Sequence, residues 1–85
     1  MEYIPITYDY RKDVYTIIVN GKEITTQREE LGWEDVVECA EKPHDIPYTI
    51  TYRNAFPDKS GEMSIDDYIT IQDGTIFNVV DTSKA

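Results

Sequence analysis

Cys39 and His44 carry the side chains best suited to act as a nucleophile and a general base, and each is the only residue of its type in this 85-residue chain. Cys39 lies beside Glu38 and near Glu41, and carboxylates raise the pKa of a nearby thiol and so suppress its reactive thiolate. His44 is followed by Asp45, but neighbours in a loop seldom face each other, and no serine or cysteine is placed to use them. We therefore predict no catalytic residues: Cys39 packs at the edge of the core, and the protein is not an enzyme.

A group of carboxylates near predicted turns is the other set that could do chemistry, because calcium prefers oxygen ligands. These residues are Asp58, Glu62, Asp66, Asp67 and Asp73. Their spacing does not match the calcium loop of a helix-loop-helix motif. A lone cysteine cannot make a disulfide within the chain or a multi-cysteine zinc site. We predict a solvated acidic surface, with no metal site and no cofactor, and keep calcium-bridged self-assembly as the alternative.

The net charge of −9 argues against nucleic acid and anionic membranes as partners, because both are bound through clusters of lysine and arginine. An acidic inhibitor that mimics nucleic acid is a further interpretation, but the carboxylates are not spaced along one face as phosphates would be. The first ten residues lack the pattern of a secretory signal, and no apolar run is long enough to span a bilayer. We therefore expect a cytoplasmic protein.

The sequence Val14 to Thr26 predicts a β-hairpin, because Asn20-Gly21 suits a tight turn in which both central residues need positive φ. Alternation along the first strand places Tyr15, Ile17 and Val19 in the core. Ile24 is the core residue expected from the return strand. Ile18 points to the opposite face. An exposed isoleucine at that position is usually covered by another element.

A short amphipathic helix follows, in which the apolar residues Trp33, Val36, Val37 and Ala40 recur at helical spacing. We expect Pro43 to end the helix, because proline cannot continue the hydrogen-bond ladder. Leu31 is predicted to enter the core just before it.

The rest of the chain predicts further strands. Residues 48–53 alternate as a strand, with Tyr48, Ile50 and Tyr52 on one face, and residues 54–67 are predicted to form a long loop. Asp73-Gly74 predicts a second hairpin between strands at 68–71 and 75–80. The core residues expected there are Ile69, Ile71, Phe77 and Val79, while Ile76 and Val80 face the other way.

The predicted order is two strands, a helix and further strands in one α+β domain, residues 14–80. A mixed ββαββ sheet wrapped on the single helix, the β-grasp arrangement, is the compact way to bury one face of such a sheet. The first and last strands are expected to lie side by side and parallel at its centre.

Residues 1–13 precede this domain as an arm or an extra strand. Ile4, Ile6, Tyr8 and Tyr10 alternate as in a strand, and Pro5 confines such a strand to an edge. One interpretation is that the arm folds back on its own domain. The other is that it adds to the sheet of a second copy or of a partner and covers Ile18 or a neighbouring apolar spot. Addition to a second copy would make the protein a homo-oligomer.

Three stretches together resemble the bacterial multi-ubiquitin domain family, a group of prokaryotic ubiquitin-like proteins: YTIIVNGKE in the first hairpin, YTITYR after the helix and DGTIFNVVDTSKA at the end. The resemblance covers Val14 to Ala85. It implies a β-grasp protein encoded beside relatives of the ubiquitin-activating (E1-like) and ubiquitin-conjugating (E2-like) enzymes and a deubiquitinase-like peptidase. Related bacterial systems are linked to phage defence.

The resemblance also implies that the tail at residues 81–85 is the end that is conjugated or processed, and these residues are Asp81, Thr82, Ser83, Lys84 and Ala85. Ubiquitin ends in Gly-Gly, which threads a narrow channel and approaches a nucleotide closely because glycine has no Cβ. This tail has no glycine. Three possibilities stay open: enzymes that accept another end, trimming by a peptidase, or a module that is not conjugated and serves as a scaffold.

Overall fold

A computed structural model describes residues 14–82 of the protein. Seven strands and one helix follow along that part of the chain: β1 Tyr15–Val19, β2 Lys22–Thr26, β3 Glu30–Gly32, α1 Trp33–Cys39, β4 Tyr48–Ala55, β5 Lys59–Met63, β6 Tyr68–Thr70 and β7 Ile76–Asp81. The predicted arm at residues 1–13 and the last three residues of the predicted tail lie outside the described residues.

Five strands form one mixed sheet in the order β2-β1-β7-β4-β5. The last strand, β7, lies at its centre, parallel to β1 and antiparallel to β4. This confirms the predicted α+β, ubiquitin-like β-grasp, with the first and last strands side by side. The first hairpin is also confirmed, because Asn20 and Gly21 have φ of 52° and 81° between β1 and β2.

The core lies between one face of this sheet and the helix. Phe77 and Ile17 are fully buried there, together with Val36 from α1. The other buried apolar residues are Val19, Leu31, Val37, Tyr48, Ile50, Ala55, Met63, Ile69, Ile71 and Val79. Tyr15, Ile24, Trp33, Ala40 and Tyr52 are only partly buried and pack against this cluster. The alternation therefore predicted the inward face correctly, and it missed Ala55 and Met63.

The helix ends at Cys39, four residues before Pro43. Ala40 is its C-cap, and Glu41 takes the left-handed conformation with φ of 59°. The Lys42 N–H donates to the Val37 carbonyl (3.2 Å) and the Glu41 N–H to the Glu38 carbonyl (2.9 Å). This is the Schellman pattern, which satisfies the last carbonyls of a helix. The turn at Glu41 therefore ends the helix, and Pro43 lies beyond it.

The prediction of a long loop over residues 54–67 is wrong. β4 continues to Ala55, and β5 returns antiparallel to it, so Ile50 lies opposite Met63. Asn54 and Asp58 have positive φ at the connection, and the Phe56-Pro57 bond is cis. The turn-forming residues mark a bulged hairpin, because the pairing of β4 with β5 shifts register before Ala55.

The prediction that Asp73-Gly74 joins a second hairpin is also wrong. β6 pairs with the three-residue strand β3 in a separate small sheet, not with β7. The turn instead docks on β1: Asp73 Oδ1 accepts a hydrogen bond from the Thr16 N–H (2.9 Å), and the Gly74 N–H donates to the Thr16 carbonyl (2.8 Å). It therefore carries the chain from the small sheet into the centre of the large one.

Candidate functional site

The end of β7 is held from the β1 side by the side chain of Asn20. Its Oδ1 accepts a hydrogen bond from the Val79 N–H at 2.8 Å, and its Nδ2 donates to the Val79 carbonyl at 3.2 Å. The backbone register of β1 with β7 runs only to Val19 and Phe77. The side-chain amide of Asn20 thus forms hydrogen bonds with backbone groups of Val79, which lie beyond the part of β7 that pairs with β1.

The β4 side holds the predicted tail at its start. Asp81 is the last residue of β7 and lies opposite Tyr48 in the antiparallel register. Beyond it, the Thr82 N–H and hydroxyl both donate to the Pro47 carbonyl, each at 3.2 Å. Of the predicted tail residues, Asp81 and Thr82 are therefore attached to the domain. Ser83, Lys84 and Ala85 lie outside the described residues.

Tyr48 links this end of the sheet to the turn after the helix. Its ring is buried and its hydroxyl donates to the Pro43 carbonyl at 2.6 Å. Burial raises the pKa of the Tyr48 hydroxyl, and the carboxylates of Asp81 and Asp45 raise it further. The tyrosine is thus held neutral beside the point where β7 ends.

The outer face of the sheet presents a second candidate surface. Ile18 lies on it, as predicted, and pairs in register with Ile76 on β7; both are half-buried. Val80 lies on the same face of β7 and is 57% exposed. The residues predicted to cover or share this surface, Ile4, Ile6, Tyr8 and Tyr10, lie outside the described residues.

The residues first considered for catalysis, Cys39 and His44, lie in different elements. Cys39 is partly buried at the last residue of α1 and packs against the core. Burial raises the pKa of its thiol most, and Asp35 and Glu38 raise it further. These causes all favour the unreactive thiol. His44 lies in the turn after the helix and before β4.

The predicted acidic surface is spread over several elements. Asp58 lies in the β4–β5 turn, Glu62 on β5, and Asp66 and Asp67 in the turn before β6. Within residues 14–82, no group of three His, Cys, Asp or Glu side chains is arranged to hold a metal ion.

The same part of the chain contains no helix that is long and apolar enough to cross a membrane.

Two contributors to the site, Asn20 and Pro47, were missed in the sequence analysis. Asn20 was predicted only as a turn residue, although its amide also pairs across to β7. Pro47 accepts two hydrogen bonds from Thr82, and a carbonyl carries no residue-specific signal. The Asn20 role could have been found by asking which side chain continues a parallel pair beyond the end of its shorter strand.

The comparison with known protein families gives a match over most of the chain. The family model described as Multiubiquitin matches residues 15–83, from the start of β1 to just beyond β7. No curated protein matches the chain, and no solved structure matches it. Because the family model covers most of the chain and all seven strands, the protein belongs to the multiubiquitin family.

Proposed function

We propose that the protein is a ubiquitin-like modifier of a bacterial ubiquitination-like pathway in the cytoplasm. Dedicated E1-like and E2-like enzymes recognise the β-grasp core and act on the tail at residues 81–85. A deubiquitinase-like peptidase trims the tail or releases the modifier. Membership of the multiubiquitin family supports the proposal, together with the β-grasp fold.

The observation that carries this proposal is the position of Asp81 and Thr82 relative to the sheet. β7 is the central strand, and the chain leaves it at Thr82 beside Pro47. In the ubiquitin-like mechanism, the terminal carboxylate is adenylated, passed as an ester to side chains of the enzymes and transferred to an acceptor. The modifier then supplies no catalytic group, which agrees with the inert setting of Cys39.

The test is mass spectrometry of amino-terminally tagged protein, co-expressed with its genomic neighbours and purified under denaturing conditions. The matched control lacks Ser83, Lys84 and Ala85, so that β7 and the Thr82 contacts with Pro47 are kept. We expect covalent adducts that depend on these three residues. Unmodified protein alone, with neighbours shown to be active, would contradict the proposal.

A second candidate is a scaffold that is not conjugated and self-associates through the amino-terminal arm. The observation that favours it is the apolar pair of Ile18 and Ile76 on the outer sheet face, beside the exposed Val80. Sedimentation velocity of the full chain, of Ile18→Ser and of a chain lacking residues 1–10 tests it. Association lost in both altered proteins supports the scaffold; monomers throughout rule it out.

A further inference from the structure

Three large apolar side chains form a surface away from the end of β7, and we call Trp33, Ile65 and Tyr68 the Tyr68 surface. Ile65 is 69% exposed and Tyr68 is 67% exposed, while Trp33 is partly buried against the core. All three line one cavity of about 360 Å³ between the small sheet and the start of α1. Exposed apolar surface that forms one patch marks an interaction site more often than scattered residues do.

The Tyr68 surface is held in place by its backbone. Tyr68 lies opposite Gly32 in the β3–β6 pair, and a Cβ on Gly32 would lie 2.9 Å from its Cε2 atom. The glycine therefore lets the ring rest directly on the backbone. Asp67 Oδ2 accepts a hydrogen bond from the Ser64 N–H at 2.7 Å, which closes the turn that carries Ile65. A surface fixed in this way loses little conformational entropy on binding.

The charge around this surface is negative. Glu34 and Asp35 line the same cavity, and Asp66 and Asp67 lie between Ile65 and Tyr68 in the chain. Arg28 also lines the cavity, and its guanidinium lies 3.4 Å from Asp35 and is mostly exposed, which leaves Glu34 without a cation among the cavity residues. A second copy of the protein would bring the same negative rim against this one and be repelled.

We infer that the Tyr68 surface is a docking site for a positively charged protein segment, in which an apolar side chain is flanked by lysine or arginine. The apolar side chain packs against the exposed Ile65 and Tyr68 side chains, and the cations lie over the Tyr68 and Trp33 rings and beside Glu34. The inference does not depend on conjugation, because neither the tail nor the outer sheet face takes part in it.

The experiment is a nuclear magnetic resonance titration of the full chain with a short amidated peptide in which lysines flank a leucine and a tryptophan. The same peptide with glutamates in place of lysines is the charge control. We expect shifts concentrated at Trp33, Ile65 and Tyr68, and weaker binding at high salt because the charges are screened. Shifts spread over all the acidic residues, shifts at Val80, or no shifts would overturn the inference.

Variants separate the apolar part of the surface from its charge. Ile65→Ser combined with Tyr68→Ser should weaken peptide binding by about tenfold or more. The matched control is Val80→Ser, which removes an apolar side chain of similar exposure on the outer sheet face and should leave binding unchanged. Glu34→Gln with Asp66→Asn should weaken binding and reduce its salt dependence. Equal losses in the Val80 control, or shifts at Tyr68 that depend on protein concentration without peptide, would contradict the inference.

Discussion

The side chain of Asn20 and the backbone of Val79 form a two-bond pair, at 2.8 and 3.2 Å, between the first hairpin and the last strand. The same asparagine occupies the turn with φ of 52°. One residue therefore shapes the hairpin and also secures the central strand from which the tail leaves. Asn20 therefore contributes both to the fold and to the candidate site.

Replacing Asn20 should destabilise the domain through two separable effects. Asn20→Gly keeps the positive φ but loses both hydrogen bonds, so we expect a loss of about 1–2 kcal/mol in the free energy of unfolding. Asn20→Ala loses the same hydrogen bonds and keeps a Cβ in the left-handed conformation, which alanine tolerates less well than asparagine, so it should be about 1 kcal/mol less stable than Asn20→Gly. Urea unfolding measures both. If the two variants were equally stable, the left-handed backbone at residue 20 would not strain alanine. If Asn20→Gly were as stable as the wild type, the hydrogen bonds between Asn20 and Val79 would not stabilise the domain.

Glu41→Gly should stabilise the domain by about 0.5–1 kcal/mol, because glycine adopts the left-handed φ of the Schellman turn without a Cβ penalty. The Lys22 ion pair that it removes is 3.5 Å long and mostly exposed, so its loss costs little. Glu41→Ala removes the same ion pair but keeps the strain, and should be no more stable than the wild type. Thermal and urea unfolding of all three proteins test this; a destabilised glycine variant would contradict it.

The raised pKa of Tyr48 predicts a loss of stability at alkaline pH. In the unfolded chain the hydroxyl ionises near its ordinary pKa of 10.0, whereas the folded state holds the proton to higher pH. The stabilisation is therefore complete below about pH 10 and is lost as the pH rises through the folded-state pKa. Tyr48→Phe should be less stable at neutral pH, because the bond to Pro43 is lost, but should show a flatter decline above pH 10. If the urea midpoints of the wild type and Tyr48→Phe declined in parallel above pH 10, ionisation of Tyr48 would not be the cause of the loss of stability.

Cys39 should react slowly with alkylating agents in the folded protein. Its raised pKa lowers the thiolate fraction at pH 8, and partial burial limits access. Glu38→Gln removes one of the carboxylates that raise the pKa and should speed alkylation modestly, with no change once the chain is unfolded in urea. Mass spectrometry over a pH series measures the rate. A folded protein that reacts as fast as the unfolded one would contradict the assignment.

The sequence was sufficient for the main sheet where side-chain alternation and turn chemistry agreed. The Asn20-Gly21 hairpin and the inward face of Ile17, Val19, Phe77 and Val79 follow from local rules. Local rules failed where pairing is decided at long range. Asp73-Gly74 has the composition of a hairpin turn, but β6 pairs with β3, because the large sheet already holds β7 between β1 and β4.

β5 was missed for a different reason. Four of its five residues are exposed, since it is an edge strand, and Gly61 interrupts it, so no alternating apolar pattern marks it. The Tyr68 surface was missed because exposed apolar residues have no periodic signal. Ile65 and Tyr68 meet Trp33 only through the β3–β6 pairing, which the sequence did not predict.

The central position of β7 has a consequence for how the protein is synthesised. The ribosome makes β1 early and β7 last, so the parallel pair between them cannot form until nearly all of the domain has been translated. A chain interrupted before Ile76 has two hairpins with no strand between them and cannot close its core. The segment that follows Thr82 is therefore presented only by a domain whose central strand is already in place.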